Sequence, residues 1–315
     1  MIHTDRRVML LRRMAFVCAA LVLAVTSLSA AIRLGKAGLG CEDWPQCYGQ
    51  SLREAQRGDT AAAQESQATA AARLVHRVAA SAALLIVLVM VMTCFGSRPL
   101  LWREGRIALA LLACAVFLTV LGVWTSGARV PAVTIGNVLG GLVMFALCWR
   151  LARSAGTEPL RGGAFVAWTW VAVALLVVQI ALGALVSSSF AGLSCPQLGG
   201  CDASGVPWHT LSPWREPVLD AAQPGNPAGA LAHGLHRTGA LLVGTLLLLL
   251  AAAAWRRGRR ADAALMVALL AAQAALGAVM VVWQLPFLAA LLHNLIAALL
   301  LAAVLCLTAG RLSLR

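Results

Sequence analysis

Charged residues are scarce in this sequence, and their scarcity excludes an ordinary soluble domain. Asp, Glu, Lys and Arg make up 12% of the 315 residues, 61% are hydrophobic, and the mean hydropathy is +0.84. Soluble domains average about 25% charged residues, whereas about 20 consecutive apolar residues are enough to cross a bilayer. The composition therefore indicates a membrane protein with several spans.

Lysine and tyrosine are almost missing, since Lys36 and Tyr48 are the single examples of each. A nucleic-acid surface usually combines clustered basic residues with aromatic side chains. The formal net charge of +13 is better explained by arginines at helix ends on one side of a membrane. We therefore predict no nucleic-acid partner and a lipid bilayer as the surroundings.

Acidic residues do not occur in the long apolar runs. Charged residues near mid-membrane and broken helices mark the coupling sites of secondary transporters, and neither feature is evident. A transporter is therefore the weakest of the three functions that we consider below.

Eight apolar runs are long enough to be membrane-spanning helices; they cover residues 14–32, 74–95, 107–126, 131–149, 164–187, 231–255, 263–283 and 286–309. The first run resembles a signal peptide, but its length and the lack of a small-residue cleavage site favour a retained helix. An even number of spans places both termini on one side, and most arginines share that side, which predicts cytoplasmic termini. The loops 33–73 and 188–230 then lie outside, with a short surface helix expected at 61–72.

The two halves of the chain resemble each other at an offset of about 155–160 residues. Four features recur in the same order: Cys41 and Cys47 with Cys195 and Cys201, His76-Arg77 with His236-Arg237, Leu121-Gly122 with Leu276-Gly277, and Pro131 and Asn137 with Pro286 and His293. Duplication of this kind predicts two parallel repeats. We expect an all-α membrane protein whose eight helices form two duplicated four-helix bundles, residues 1–155 and 156–315.

Four cysteines form two pairs in the outer loops, Cys41 with Cys47 and Cys195 with Cys201. Disulfides persist outside the cytoplasm, and bonding within each pair is the simplest of the three possible connectivities. Zinc is a weaker alternative because no histidine neighbours either pair at finger-like spacing. A structural disulfide and a redox-active pair both remain open, and we favour the structural role.

Histidines in the apolar runs are the principal candidates for chemistry, because ionisable residues inside a membrane are functional candidates by default. His236 and His293 lie at similar depths below the outer surface, so they can face each other as axial ligands of a haem iron. A hydrogen-bonded helix contact is the alternative for either residue alone. Arg237 could pair with a haem propionate, and His233, one turn before His236, would lie in its surroundings.

The amino-terminal half contains a less complete version of this pattern. His76-Arg77 repeats the motif, but Asn137 occupies the position that matches His293. Because asparagine is a poor iron ligand, a haem in this half would be held by one histidine with an open sixth position. His3 and His209 lie outside the apolar runs, and we expect them to be solvated.

The run Gly38–Gly49, GLGCEDWPQCYG, is similar to the outer-loop signature of the haem A synthase family. The eight spans, the paired cysteine loops, the His-Arg motifs and the terminal Leu285-Pro286 and His293-Asn294 extend the resemblance along nearly the whole chain. The resemblance implies a bacterial inner-membrane enzyme with periplasmic cysteine loops.

Membership of this family implies oxidation of the C8 methyl of haem O to the formyl group of haem A, which supplies cytochrome c oxidase. It implies a haem b in the carboxy-terminal half, ligated by His236 and His293, with Arg237 beside it. Haem O as substrate would occupy the amino-terminal half, where His76 would be an iron ligand and Arg77 would contact the haem. Haem O synthase, an electron donor and oxidase assembly partners are the expected associates.

Two positions depart from the family pattern. Arg73 stands where the family usually has a glutamate, three residues before the first His-Arg motif, and Asn137 stands where it usually has a histidine. The resemblance gives that glutamate a role in the chemistry and that histidine a role in iron ligation. A non-catalytic haem-b-binding membrane protein, either an electron carrier or a haem-handling assembly factor, is therefore the alternative function.

Overall fold

The computed structural model describes residues 2–58, 67–124, 127–154, 163–220 and 223–308. Within these ranges the secondary structure is entirely helical. Eight of the helices are long and apolar enough to cross a membrane. The predicted all-α class with eight spans is therefore confirmed.

The four long helices of the amino-terminal half cover the described residues of the predicted spans, but α1 and α3 begin 12 and 7 residues earlier than predicted. They are α1 (Ile2–Lys36), α3 (Gln67–Phe95), α4 (Trp102–Trp124) and α5 (Pro131–Ser154), and a short helix α2 (Gln50–Gln56) lies between the first two. Helix α5 begins with Pro131, a residue suited to the first helical position because its missing N–H is not needed there. Residues 125–126 of the third predicted span lie outside the described residues.

The carboxy-terminal half contains α6 (Ala164–Ser188), α7 (Ala230–Arg256), α8 (Arg260–Val282) and α9 (Phe287–Cys306). Between α6 and α7 the described chain is irregular apart from two short 3₁₀ turns, Trp208–Leu211 and Pro227–Gly229. This agrees with the proline-rich composition of the loop.

One expectation for the first outer loop is corrected in its described part. Residues 67–72 of the expected surface helix are the first turns of α3, and residues 61–66 lie outside the described residues. Residues 67–72 therefore extend the membrane helix and are not a separate surface helix. The short loop helix is α2, which begins after Gly49.

Each half packs as a ring of four helices. Helix α1 contacts α3 and α5, and α4 lies between α3 and α5; in the other half α6 contacts α7 and α9, and α8 lies between α7 and α9. The rings meet where α5 packs against α6 and α9, and where α1 packs against α9. The duplication itself remains a prediction from the sequence.

Burial along the helices fits a bilayer rather than water. Half of the most apolar stretch of α9 is buried, but only 6% of that of α8. Large apolar side chains such as Met92 and Leu241, at 70% and 73% exposure, point away from the protein. An apolar surface of this extent requires contact with lipid.

Candidate functional site

His236 and His293 face each other inside the carboxy-terminal ring. Each is the seventh residue of its helix, α7 and α9 respectively, so both lie about 9 Å below the helix start at 1.5 Å per residue. Their ring centroids are 6.5 Å apart and the rings are inclined at 71°. The structure therefore brings the two predicted ligands together.

Each imidazole contacts one glutamine amide. Nε2 of Gln179 lies 2.9 Å from Nδ1 of His236 and also donates to the His236 carbonyl oxygen at 2.7 Å. Nε2 of Gln273 lies 3.0 Å from Nε2 of His293. Among the described residues, no hydrogen bond is recorded for the other ring nitrogen of either histidine, and Nδ1 of His293 is buried.

Two glycines make space beside the histidine rings. A Cβ on Gly183 of α6 would lie 2.9 Å from Cε1 of His236, closer than side chains tolerate. A Cβ on Gly277 of α8 would lie 3.7 Å from Cε1 of His293, an ordinary contact. Gly183 is therefore required for the present position of the His236 ring, while Gly277 has room for a methyl group.

The chemistry of these donors suits a metal, because imidazole nitrogens are common ligands of haem iron. The two imidazoles that could hold such a group are His236 and His293, whose ring centroids are 6.5 Å apart. A ligating histidine usually uses its second nitrogen for a hydrogen bond, and Gln179 and Gln273 each contact one nitrogen. Their amide oxygens are buried without a recorded partner in the described chain, so rotation of either amide would let it accept an imidazole N–H.

His233 is buried one turn before His236 but points elsewhere. Its Nδ1 lies 2.9 Å from the carbonyl oxygen of Ala191, in the turn that follows α6. This contact ties the start of α7 to the neighbouring helix. The predicted place of His233 in the surroundings of the ligand pair remains a prediction.

Arg237 binds the second cysteine loop. Its guanidinium donates to the carbonyl oxygens of Gln197 and Leu198, both at 2.7 Å, and to that of Cys195 at 3.4 Å. Charge-assisted hydrogen bonds of this kind are stronger than neutral ones. Arg237 therefore fixes the loop above α7, and its predicted contact with a propionate is not tested by this arrangement.

In each outer loop the two cysteines of the predicted pair lie close together. The Cα atoms are 6.7 Å apart in Cys41 and Cys47 and 4.8 Å apart in Cys195 and Cys201, with the sulfur atoms in contact. Disulfide-bonded cysteines have Cα separations of about 4.4–6.8 Å. Among the described residues no group of three His, Cys, Asp or Glu side chains is placed to hold a metal ion.

The first cysteine loop, residues 37–49, covers the outer end of the other half of the protein. Its Leu39 and Tyr48 belong to an apolar cluster with Ala290 of α9, against which Phe287 also packs. Tyr48 makes edge contacts with Trp44 and Phe190, with centroids 5.5 and 5.6 Å apart. The loop of the amino-terminal half therefore shields the end of the helix that carries His293.

Arg53 holds this first loop in place. The guanidinium is buried and donates to the carbonyl oxygens of Gln46 at 2.7 Å, Tyr48 at 2.8 Å and Gln223 at 3.3 Å. Burial lowers the pKa of Arg53 and raises the pKa of the Tyr48 phenol. The Tyr48 phenol is therefore uncharged at physiological pH, as its place in the apolar cluster requires.

The amino-terminal half has no such pair of facing histidines among its described residues. His76 is half-buried in α3, Arg77 is exposed, and Asn137 is the seventh residue of α5. No hydrogen bond is recorded for these three side chains in the described part of the chain. The structure therefore leaves the predicted roles of His76 and Arg77 untested.

Gln179, Gln273 and Gly183 were not predicted from the sequence. The two glutamines are the polar amides within the apolar runs 164–187 and 263–283, and buried polar groups in a membrane need a partner. That signal was present and could have marked both residues. The sequence carries no comparable sign that Gly183, one of 28 glycines, contacts a histidine ring.

Comparison with known proteins shows the family to which the chain belongs. A family model described as COX15-CtaA, cytochrome oxidase assembly protein, matches residues 12–305. A protein of Shewanella oneidensis named Heme A synthase is 29% identical over 301 residues, which cover 89% of this chain and 90% of the relative. The match spans both rings of helices, and the chain therefore belongs to the COX15-CtaA family, the haem A synthase family.

Proposed function

We propose that this protein is a haem A synthase, which oxidises the C8 methyl of haem O to the formyl group of haem A. The observation that carries the proposal is the match over nearly all of the chain and 90% of a relative named Heme A synthase. The facing histidines His236 and His293 support it, because a redox enzyme of this kind needs a site for an electron-transferring group.

The carboxy-terminal half would hold a haem b through His236 and His293. When bound, this haem would pass single electrons during the redox reaction. Gln179 and Gln273 would fix the orientation and tautomer of the two imidazoles, since hydrogen bonds to the second ring nitrogen set both. The first cysteine loop would limit access of water from the outer surface.

The amino-terminal half would bind the substrate, haem O, with His76 as an iron ligand and Arg77 close to the haem. An apolar ring of helices suits a haem with a long hydrocarbon tail. Haem O synthase would deliver haem O to this protein, and the protein would release haem A to the assembling cytochrome c oxidase. Both transfers would occur within the membrane.

The proposal places the protein in a bacterial inner membrane, with the termini in the cytoplasm and both cysteine loops in the periplasm. The distribution of arginines supports this orientation. Disulfides within the pairs Cys41–Cys47 and Cys195–Cys201 would be stable in that compartment. Their proximity in the structure agrees with such bonds.

A non-catalytic haem-b protein is the second candidate, and two residues favour it. Arg73 and Asn137 replace the glutamate and histidine of the family pattern, both in the half assigned to the substrate. The histidine pair of the other half is intact. An electron carrier or haem-handling assembly factor would need that pair alone.

Pigment analysis separates the two candidates. The full chain is expressed in a bacterium that makes haem O but lacks its own haem A synthase, and membrane haems are extracted and separated by chromatography. An enzyme yields haem A or its hydroxymethyl precursor, whereas a carrier yields only haem O and haem b. The Shewanella oneidensis relative serves as the positive control; a bound haem b with no oxidised product would refute the enzymatic function and support the carrier.

A further inference from the structure

Arg33 places a positive charge among the outer ends of the membrane helices. It lies in α1, three residues before that helix ends at Lys36, and its side chain is partly buried. Its Nη2 donates to Oδ1 of Asn294 in α9 at 3.4 Å, a long hydrogen bond. Its Nε is buried, and no hydrogen bond is recorded for that atom within the described ranges. The guanidinium therefore has donors for a further acceptor.

A guanidinium in this position calls for an anionic partner. Arginine does not lose its proton in proteins, and an ionisable residue within a membrane span is a functional candidate by default. The one recorded partner of Arg33 in the described chain is the Asn294 amide, which has no charge. The recorded ion pairs of the described residues join Arg129 to Glu216 and Arg259 to Asp262. An anion from a bound ligand would complete the surroundings of Arg33.

The sequence repeat indicates which side of α1 carries Arg33. The cysteine loops are 154 residues apart, and the same offset relates Gln179, Gly183 and Ser187 of α6 to Val25, Ser29 and Arg33 of α1. In α6, Gln179 contacts His236, and a Cβ on Gly183 would meet the His236 ring. Residues four apart share one face of a helix. The matching row of α1 is therefore expected to face the corresponding site of the amino-terminal ring.

The helical plan itself does not require a cation at this position. Ser187, which matches Arg33, is uncharged, and α6 still packs against α7 and α9. A positive charge that occurs in one half alone fits a ligand of that half better than a structural need of the repeat.

We propose that Arg33 binds a carboxylate of the haem in the amino-terminal ring. This inference rests on the proposed function, which assigns haem O to that ring with His76 as an iron ligand. A haem has two propionates on one edge, and a guanidinium binds a carboxylate through two parallel hydrogen bonds. Arg33 lies one turn, about 6 Å, nearer the outer surface than Ser29. The propionate edge of the haem would therefore point toward the outer surface.

Haem b of the carboxy-terminal ring is the other possible source of a carboxylate, because Asn294 directly follows His293. Consecutive helical residues point about 100° apart. Asn294 accordingly contacts Arg33 of α1, whereas His293 faces His236 within its own ring. Helix α9 thus stands between Arg33 and a haem held by the two histidines, and the haem of the amino-terminal ring is the better partner.

Esterified haem separates a carboxylate contact from a structural role of Arg33. Purified full-length protein that carries haem b is titrated with haem O and with haem O dimethyl ester, whose propionates are uncharged, and visible absorbance reports the second equivalent. Loss of this equivalent in His76→Ala assigns it to the amino-terminal ring. We expect the wild type to prefer the free acid by about 10- to 100-fold, as a charge-assisted hydrogen bond allows, and Arg33→Gln to bind both forms equally.

A structural role would give a different result in the same titration. If Arg33 only ties α1 to α9, Arg33→Gln weakens binding of the acid and of the ester by the same factor, and the preference for the acid persists. That outcome would overturn the proposal.

Two variants serve as controls for charge. Lys36→Gln removes a cation from an exposed position one turn along α1, and we expect its preference for the acid to stay within about twofold of the wild type, because exposed charges are screened. Arg33→Lys keeps the charge but not the bidentate geometry, so its preference should lie between those of the wild type and Arg33→Gln. Equal preferences in Lys36→Gln and Arg33→Lys would contradict the contact, and this comparison also serves if Arg33→Gln does not fold.

The midpoint potential of haem b distinguishes the two possible carboxylates. We expect the same potential in the wild type and in Arg33→Gln, because α9 separates Arg33 from that haem. A lowered potential with an unchanged preference for the acid would place the carboxylate on haem b and refute the assignment. A wild type that binds no second equivalent of haem O would refute the proposed function together with this inference, whereas a second equivalent without preference for the acid would refute the role of Arg33 alone.

Discussion

The two halves of this protein share a helical plan but differ in the residues at its centre. In the carboxy-terminal ring, His236 and His293 face each other with their centroids 6.5 Å apart. In the amino-terminal ring, the corresponding positions are His76 and Asn137, and His76 has no hydrogen bond recorded in the described chain. One half therefore contains two facing histidines, and the other contains a single histidine at the corresponding positions.

The difference extends to the residues around the histidines. Leu276-Gly277 and Leu121-Gly122 are 155 residues apart, and the same offset relates Gln273 to Leu118, which packs on Gly140 of α5. The repeated cysteine loops are 154 residues apart, and that offset relates Gln179 to Val25. Both glutamines of the histidine pair thus correspond to apolar residues. A site without these amides places fewer constraints on the orientation of an imidazole.

The cysteine loops are also held differently. Arg237 of the second His-Arg motif donates to three carbonyl oxygens of the second loop, whereas Arg77 of the first motif is exposed. Arg53, which is not part of the repeat, performs this role for the first loop. Arg237 of the second motif therefore stabilises its cysteine loop, whereas in the first half Arg53, and not Arg77, stabilises the loop.

Replacement of either facing histidine should have the largest effect on the haem spectrum, and it tests the difference between the two halves. His236→Ala or His293→Ala removes one of the two proposed iron ligands, so we expect complete loss of a low-spin bis-histidine haem spectrum. Reduced-minus-oxidised difference spectra of purified protein measure it. His209→Ala is the control, since His209 is exposed in the outer loop; a spectrum that survives both ligand changes would mean that the pair does not hold the haem.

Much of this architecture could be predicted from the sequence, because membrane spans are defined by long apolar runs and these are local features. The facing of His236 and His293 was also predictable, since each lies at the same depth in its helix and a ring of four helices brings equal depths together. The contacts of Arg53 were not predictable. They join Gln46 and Gln223, which are distant along the chain, and loop packing has no periodic signal. The crossing of the first cysteine loop onto α9 was missed for the same reason.

A smaller effect is expected from a methyl group added beside His236. In Gly183→Ala the new Cβ would lie 2.9 Å from Cε1 of His236, so the ring must move, and overpacking of this kind costs about 1–3 kcal/mol. We expect haem affinity to fall by about tenfold, measured by haem titration of the protein in detergent.

Gly122→Ala is the matched control for this change in the other half. It lies in α4, where a Cβ at that position meets nothing within 4 Å, and alanine favours a helix over glycine by about 1 kcal/mol. Haem affinity should therefore be unchanged in this variant. Equal losses in the two variants would show that the effect comes from the helices and not from the His236 ring.

The smallest effect on the haem is expected from the arginines of the two His-Arg motifs. Arg237→Gln removes the guanidinium that donates to Cys195, Gln197 and Leu198, and each charge-assisted hydrogen bond contributes about 1.5–3 kcal/mol. We expect faster amide hydrogen exchange in the loop 195–201, with the haem spectrum retained. Arg77→Gln should leave exchange in the first cysteine loop unchanged, because Arg53 holds that loop. If Arg237→Gln instead abolishes the haem spectrum and leaves loop exchange unaltered, its main partner is a haem propionate, and the two motifs are more alike in function than their contacts indicate.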